Sequence, residues 1–200
     1  MMQARYDEGE SKRMESFVRL ITQEHAIVFA RTFVGLVLLA AGVAKLSKLG
    51  DFVGVVRNYR LLPEITVPFV GRALPAVEAI VAIGLLFGIL VGWLALAAVG
   101  LFLLFGSAVA INLLRGRRDI SCGCFWPQPN HHLTWGLVTR NAGLAGLAVS
   151  VWLIEPLVDR VGQLPIVETV ATMFIAGAVL ASLLLWGMII RLWGQPEGAQ

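Results

Sequence analysis

The chain has 200 residues, of which 58% are hydrophobic and only 14% are charged. Soluble domains carry roughly 25% charged residues, and a globule of this size exposes a large share of its chain. Because the mean hydropathy is +0.78, the composition excludes a soluble enzyme, a nucleic-acid-binding protein and a disordered scaffold. In a membrane protein, the net charge of +3 reports loop charges that set orientation. We therefore predict an all-α polytopic membrane protein.

Five apolar windows are long enough to cross a bilayer, since a hydrocarbon core needs roughly 20 helical residues. They run over about residues 27–46, 73–91, 93–114, 135–154 and 166–192, with a tight turn near Gly92. Residues 1–24 form a polar tail that lacks the apolar stretch of a cleavable signal. The predicted domains are this tail, a four-helix membrane unit over residues 25–155, and a fifth transmembrane helix with a short tail over residues 156–200.

Two of the connections between these spans are long, and both lie on one side of the membrane. The first contains an amphipathic helix over residues 52–62, which we expect to lie in the membrane interface. Pro63 ends this predicted helix. The second connection, residues 115–134, carries both cysteines of the chain, Cys122 and Cys124.

The loop charges predict an orientation. The side of the long connections collects nine basic residues: Lys45, Lys48, Arg57, Arg60, Arg72, Arg115, Arg117, Arg118 and Arg191. The other side collects five: Arg5, Lys12, Arg13, Arg19 and Arg160. Because basic loops favour the cytoplasm, we expect the cysteine-bearing connection to be cytoplasmic and the N terminus to lie outside.

Cys122 and Cys124 are the leading candidates for chemistry, as a redox pair. Two thiols separated by one glycine can close a small, strained disulfide, and strained disulfides tend to be labile or catalytic. Arg117 and Arg118 precede the pair and favour the thiolate form. Two alternatives stay open, an inert pair of interfacial thiols and a soft-metal site.

The soft-metal alternative adds His131 and His132 to the two thiols as ligands. The spacing matches none of the usual structural zinc patterns, so a polar end of the connection is the simpler interpretation of the histidines. No cofactor motif is visible. A quinone is a chemically sensible electron acceptor, but no residue predicts a site for it.

A set of polar side chains lies inside the spans toward the cysteine side. Its members are Glu78, Arg140, Lys45, Asn112 and Asn141. Counting about 1.5 Å per residue from the membrane face places them at similar depth. Because ionisable groups are costly in lipid, we predict an ion pair of Glu78 with Arg140 or Lys45 beneath the cysteines. A purely structural pair that holds the bundle together is an equal rival.

Two further features of the spans concern packing. Gly84, Gly88 and Gly92 repeat every fourth residue and predict a ridge on the second span where a neighbouring helix approaches closely. Arg31 lies one turn in from the opposite face, where its side chain can snorkel to the interface. We assign Arg31 no role.

Five segments follow one another within about residues 27–150. They read GLVLLAAGVAKL, FVGVVRNYRLLP, ALPAVEAI, INLLRGRRDISCGCF and LVTRNAGL. In this order they resemble the MauE family of methylamine utilisation membrane proteins, in the DoxX-like superfamily. The resemblance implies a compact four-helix DoxX-like bundle, to which the fifth helix is an addition. Trp126 stands where family members usually have a glycine after Cys-Gly-Cys-Phe.

The resemblance also implies a function in the bacterial inner membrane. MauE-type proteins act in producing methylamine dehydrogenase, a periplasmic quinoprotein whose small (β) subunit is densely disulfide-bonded. They work with a thioredoxin-like partner in processing, export or maturation of that subunit. Cys122 and Cys124 would then be the pair that exchanges disulfides, with thiol–disulfide oxidoreductase activity as the only catalysis suggested. A small carrier, a soft-metal-handling protein and a structural anchor are the alternative functions.

Overall fold

The computed structural model describes residues 25–118, 120, 133–158 and 166–193. Within those ranges the chain forms six α-helices and no strand. They are α1 (His25–Leu46), α2 (Leu49–Tyr59), α3 (Val67–Phe87), α4 (Val91–Leu114), α5 (Trp135–Val158) and α6 (Ile166–Trp193). The predicted all-α polytopic membrane fold is confirmed.

Four helices of the described chain are long and apolar enough to cross a bilayer: α1, α3, α4 and, within α5, Trp135–Glu155. These are the first four predicted spans. Helix α6 has 28 residues and begins where the fifth apolar window begins. Its described apolar stretch is Val170–Leu183, and its crossing of the bilayer stays a prediction.

Helix α3 and the turn after it differ from the sequence-based expectation. The helix begins at Val67 and not near residue 73, since Pro68 stands in its first turn, where a missing N–H costs nothing. It ends at Phe87, because Gly88 adopts the left-handed conformation (φ 71). The turn therefore precedes Val91 and does not lie at Gly92. The predicted glycine ridge is wrong, since Gly92 belongs to α4.

Helix α2 is displaced toward the N terminus from the predicted 52–62. It begins at Leu49, and Arg60 ends it by adopting a left-handed conformation (φ 49). The chain thus leaves the helix before Leu62, a residue that the following Pro63 disfavours in helical conformation. Phe52 of α2 is buried against the bundle.

The main core of the bundle consists of small and branched apolar side chains from α1, α3, α4 and α5. A second, smaller cluster lies at the end of the bundle that bears connection 115–134. It contains Val109, Leu113, Ile120 and Leu133, with Tyr59, Leu137 and Val138 packed against it. This cluster joins the ends of α2 and α4 to the start of α5. We call this end of the molecule the cysteine-side end.

Candidate functional site

A buried ion pair lies at the cysteine-side end of the bundle. Lys45 Nζ, near the end of α1, is 2.5 Å from Glu78 Oε1 of α3, and the two side chains are only 3% and 1% exposed. Of the two partners predicted for Glu78, Lys45 is the one that forms the pair. Arg140 instead has an exposed side chain on α5.

The close approach of α1 and α3 explains why these two side chains meet. A Cβ atom at Gly42 would lie 3.3 Å from the Pro75 carbonyl oxygen and 3.3 Å from the Ala79 amide nitrogen. A larger residue than glycine would therefore push the helices apart. Lys45 and Glu78 follow Gly42 and Pro75 by nearly one helical turn each, so the contact places them directly opposite one another.

Two aromatic rings complete the surroundings of the Lys45 ammonium. Its Nζ atom lies 4.1 Å from the ring centroid of Phe105 on α4 and 5.4 Å from that of Phe52 on α2. Both distances fall within the range of cation–π attraction. Sequence reasoning missed both rings. Phe105 precedes Asn112 by two turns, so their shared face of α4 is the signal that could have found it.

Only one oxygen of the Glu78 carboxylate is used in this arrangement. Glu78 Oε2 is buried and has no hydrogen-bond partner among the described residues. Leaving a buried acceptor unpaired is costly, and in lipid no water can compensate. The free oxygen is therefore the position at this site where a proton or a small hydrogen-bond donor would bind.

Asn112 and Asn141, the two predicted amides, are buried at the same end. Each donates to the backbone of its own helix, Asn112 Nδ2 to Ala108 O at 3.0 Å and Asn141 Nδ2 to Leu137 O at 2.7 Å. Within the described chain, the bond that joins members of the predicted set to each other is Lys45–Glu78. The amides are thus buried at the same end of the bundle and donate to their own helices, not to the ion pair.

The connection that carries the cysteines has a fixed base. The Leu133 amide donates to Arg118 O at 2.9 Å, and the Arg117 amide donates to Asn112 O at 3.0 Å. The Arg117 side chain also donates to Asn112 Oδ1 at 3.3 Å. The two ends of the connection are therefore held together and tied to the buried end of α4.

The predicted redox pair and the alternative metal ligands lie outside the described residues. They are Cys122, Cys124, His131 and His132. Both assignments stay predictions. In the ranges that are described, no group of three His, Cys, Asp or Glu side chains could hold a metal ion.

The opposite end of the bundle also carries charge. The Arg31 guanidinium packs against Gly88, and the Glu155 carboxylate packs against Gly92. Arg31 Nε and the buried Thr32 Oγ1 have no hydrogen-bond partner among the described residues. The Arg31 side chain therefore does not simply extend to the interface. It is half-buried and packs over the turn between α3 and α4.

Comparison with known proteins identifies the family. The family model described as "Methylamine utilisation protein MauE" matches residues 23–154. The chain belongs to the MauE family. It is 37% identical to the "Methylamine utilization protein MauE" of Methylorubrum extorquens, over 90% of this chain and 94% of that protein. The proteins of the same name from Paracoccus versutus and Paracoccus denitrificans are 38% and 45% identical.

The coverage of these MauE relatives differs. The Paracoccus versutus alignment covers 80% of this chain and 84% of that protein. The Paracoccus denitrificans alignment covers 60% of this chain and 65% of that protein. No solved structure matches the chain. The range matched by the MauE model contains α1–α4, most of α5 and both cysteines, and it ends before α6. The resemblance drawn from the sequence segments is therefore confirmed.

Proposed function

We propose that this MauE family member is a maturation factor for methylamine dehydrogenase in the bacterial inner membrane. It supports processing, export or disulfide formation of the small (β) subunit by thiol–disulfide exchange through Cys122 and Cys124, with a thioredoxin-like protein as partner. The observation that carries this proposal is the fixed base of connection 115–134, in a chain of a family named for methylamine utilisation.

The geometry of that base supports a role in presenting the thiols. The bond between Leu133 N and Arg118 O brings together two residues fifteen positions apart in the sequence. Buried Ile120 and Leu133 anchor both ends on the small apolar cluster. The thiol-bearing segment therefore begins and ends at one point at the cysteine-side end, next to basic residues that favour thiolate.

The proposed exchange balances in atoms and electrons. The thiolate of one cysteine attacks a partner disulfide and forms a mixed disulfide. The second cysteine then attacks this mixed disulfide and releases the partner with both of its thiols reduced. The Cys122–Cys124 pair is oxidised to a disulfide, while the partner disulfide is reduced to two thiols, so two electrons and two protons pass to the partner. The reverse reaction oxidises a partner dithiol. A thioredoxin-like protein fits because it carries its own exchangeable pair.

Replacing the thiols tests the function. We expect Cys122→Ser, Cys124→Ser and the double variant to reach the membrane at the normal level. Active methylamine dehydrogenase falls to background in all three, because a single thiol cannot complete the exchange. The measurement is methylamine-dependent dye reduction in periplasmic extracts, together with alkylation of free thiols in the small subunit.

Ser121→Ala is the matched control, since it changes the neighbouring residue and leaves both thiols in place. Normal dehydrogenase activity in the double cysteine variant would contradict the proposal. Measuring the metal content of the purified chain distinguishes soft-metal handling from thiol–disulfide exchange. One equivalent of zinc or copper that is lost in each cysteine variant, with dehydrogenase activity unchanged, would indicate soft-metal handling.

The loop-charge bias predicts that the thiols lie on the cytoplasmic side, and labelling can test this prediction. The chain has two cysteines, so an impermeant maleimide reports on this pair alone. We expect labelling only after the cells are permeabilised, and none in the double serine variant. Labelling of intact cells would reverse the orientation, and the thiols would then face the compartment where the subunit's disulfides form.

A further inference from the structure

The C-terminal ends of α2 and α4 meet at the surface of the cysteine-side end. Arg60 terminates α2, and Arg115 follows the last residue of α4. Arg115 Nη1 donates to Arg60 O at 3.4 Å. Tyr59 packs on the same small cluster as Leu113, which fixes the two helix ends against each other. Two arginines that are far apart in the sequence are therefore held side by side.

Among the described residues, no carboxylate forms an ion pair with either of these two arginines. The ion pairs formed within the described residues join Lys45 to Glu78 and Arg57 to Glu64. Arg60 and Arg115 take part in neither, and both side chains are exposed. The bond to Arg60 O uses one of the five donors of the Arg115 guanidinium. The remaining donors of both arginines are available to an anion.

The surroundings of the two arginines place them at the level of lipid headgroups. Leu114, directly before Arg115, is 76% exposed, and Ile65 and Phe69, after Arg60, are 88% and 75% exposed. Apolar side chains this exposed suit the hydrocarbon region, whereas arginines next to them suit the interface. Basic pockets beside transmembrane helices are typical sites for acidic lipid headgroups.

We propose that Arg60 and Arg115 bind the phosphate group of an anionic phospholipid, of which phosphatidylglycerol is the representative. Guanidinium groups bond phosphate oxygens in pairs, and a phosphate between them relieves the repulsion of two like charges. The acyl chains lie along the exposed apolar residues beside the site. This apolar border favours a lipid over an acidic protein segment.

Native mass spectrometry of the detergent-solubilised full chain tests the site. The chain is supplied with equal amounts of phosphatidylglycerol and phosphatidylcholine, and the bound lipid is counted. We expect one phosphatidylglycerol molecule to be retained per chain in preference to phosphatidylcholine. Arg60→Gln and Arg115→Gln each weaken its binding about fivefold, and the double variant about 25-fold, as loss of ~1 kcal/mol per basic residue near an anionic surface implies.

Arg57→Gln is the matched control. It removes the same charge from the same helix, but from an arginine that is bonded to Glu64 at 3.1 Å. We expect a loss below about twofold, since an exposed pair contributes little. A loss equal to that of Arg60→Gln would show general charge attraction and overturn the site, as would the absence of any preference in the unchanged chain.

Two further arms complete the test. Excess inorganic phosphate is expected to leave the lipid bound, and displacement of the lipid by free phosphate would overturn the lipid assignment in favour of a soluble anion. Should a glutamine variant fail to fold, Arg60→Lys and Arg115→Lys replace it. Lysine keeps the charge but lacks the planar guanidinium group with its paired donors. Unchanged lipid binding in both lysine variants would contradict the proposal that paired guanidinium donors hold the phosphate.

Discussion

The two ends of the bundle treat buried charge differently. At the cysteine-side end, Lys45 and Glu78 bond directly and are almost fully buried. At the opposite end, Arg31 packs against Gly88 in the turn between α3 and α4, and Glu155 packs against Gly92 in the first turn of α4. No ion pair joins them within the described chain. One end therefore neutralises its charges by pairing. The other end leaves its charges unpaired within the described residues, partly exposed and packed on glycine backbone.

This difference teaches which substitutions each end can tolerate. Removing one partner of a buried ion pair leaves a charge that neither water nor protein compensates. Removing a partly exposed charge that has no ion-pair partner leaves no opposite charge uncompensated. Stability at the cysteine-side end should therefore depend on keeping both charges. Stability at the opposite end should depend on keeping glycine where a side chain would not fit.

The largest expected effect is that of Glu78→Gln. The change leaves the Lys45 ammonium buried without a counter-charge, and we expect the free energy of unfolding to fall by about 3–5 kcal/mol. Titration of the detergent-solubilised chain with a denaturing detergent, followed by circular dichroism, measures it. The double variant Lys45→Met/Glu78→Leu should recover most of the loss, because apolar residues of similar volume replace a buried pair at little cost. An unchanged stability of Glu78→Gln would contradict the pairing.

Glu155→Gln is the control from the opposite end of the bundle. It also removes one carboxylate charge from a span, but this carboxylate has no ion-pair partner among the described residues. We expect the free energy of unfolding to change by no more than about 0.5 kcal/mol. A loss as large as that of Glu78→Gln would mean that the two ends do not differ.

For Gly88→Ala we expect a loss of stability that is smaller than that of Glu78→Gln. Gly88 has a φ of 71° and contacts the Arg31 guanidinium, so a Cβ atom strains the backbone and displaces the arginine. We expect the free energy of unfolding to fall by about 1–2 kcal/mol. Gly143→Ala is the matched control, because a Cβ there meets open space and helical alanine is more stable than glycine by roughly 0.5–1 kcal/mol. Equal stability of the two variants would show that the turn does not need glycine.

The sequence predicts the positions of the spans well, because hydropathy is a local property. The 115–134 connection has the predicted ends, since α4 ends at Leu114 and α5 begins at Trp135. The end of α3 was harder to predict. A glycine repeat is compatible both with one continuous helix and with two helices joined by a turn. The left-handed conformations of Gly88 and Leu90 distinguish the two possibilities.

The polar set shows where counting residues along a helix reaches its limit. The count gives the depth of a residue but not the direction of its side chain. Arg140 and Asn141 are neighbours at the same depth, and about 100° of helical rotation leaves Asn141 buried and Arg140 exposed. Phe52 and Phe105 come from two different helices. Their meeting around Lys45 depends on tertiary packing that no local pattern contains.

The bond from Leu133 N to Arg118 O closes the bundle beneath the thiol-bearing segment. The bond joins backbone atoms at the two ends of the connection, and buried Ile120 and Leu133 hold those ends on the small apolar cluster. Lengthening a closed segment is inexpensive, at about 0.6 kcal/mol for each doubling of its length. We therefore expect an insertion between residues 121 and 132 to leave the Leu133–Arg118 bond in place at little cost in stability.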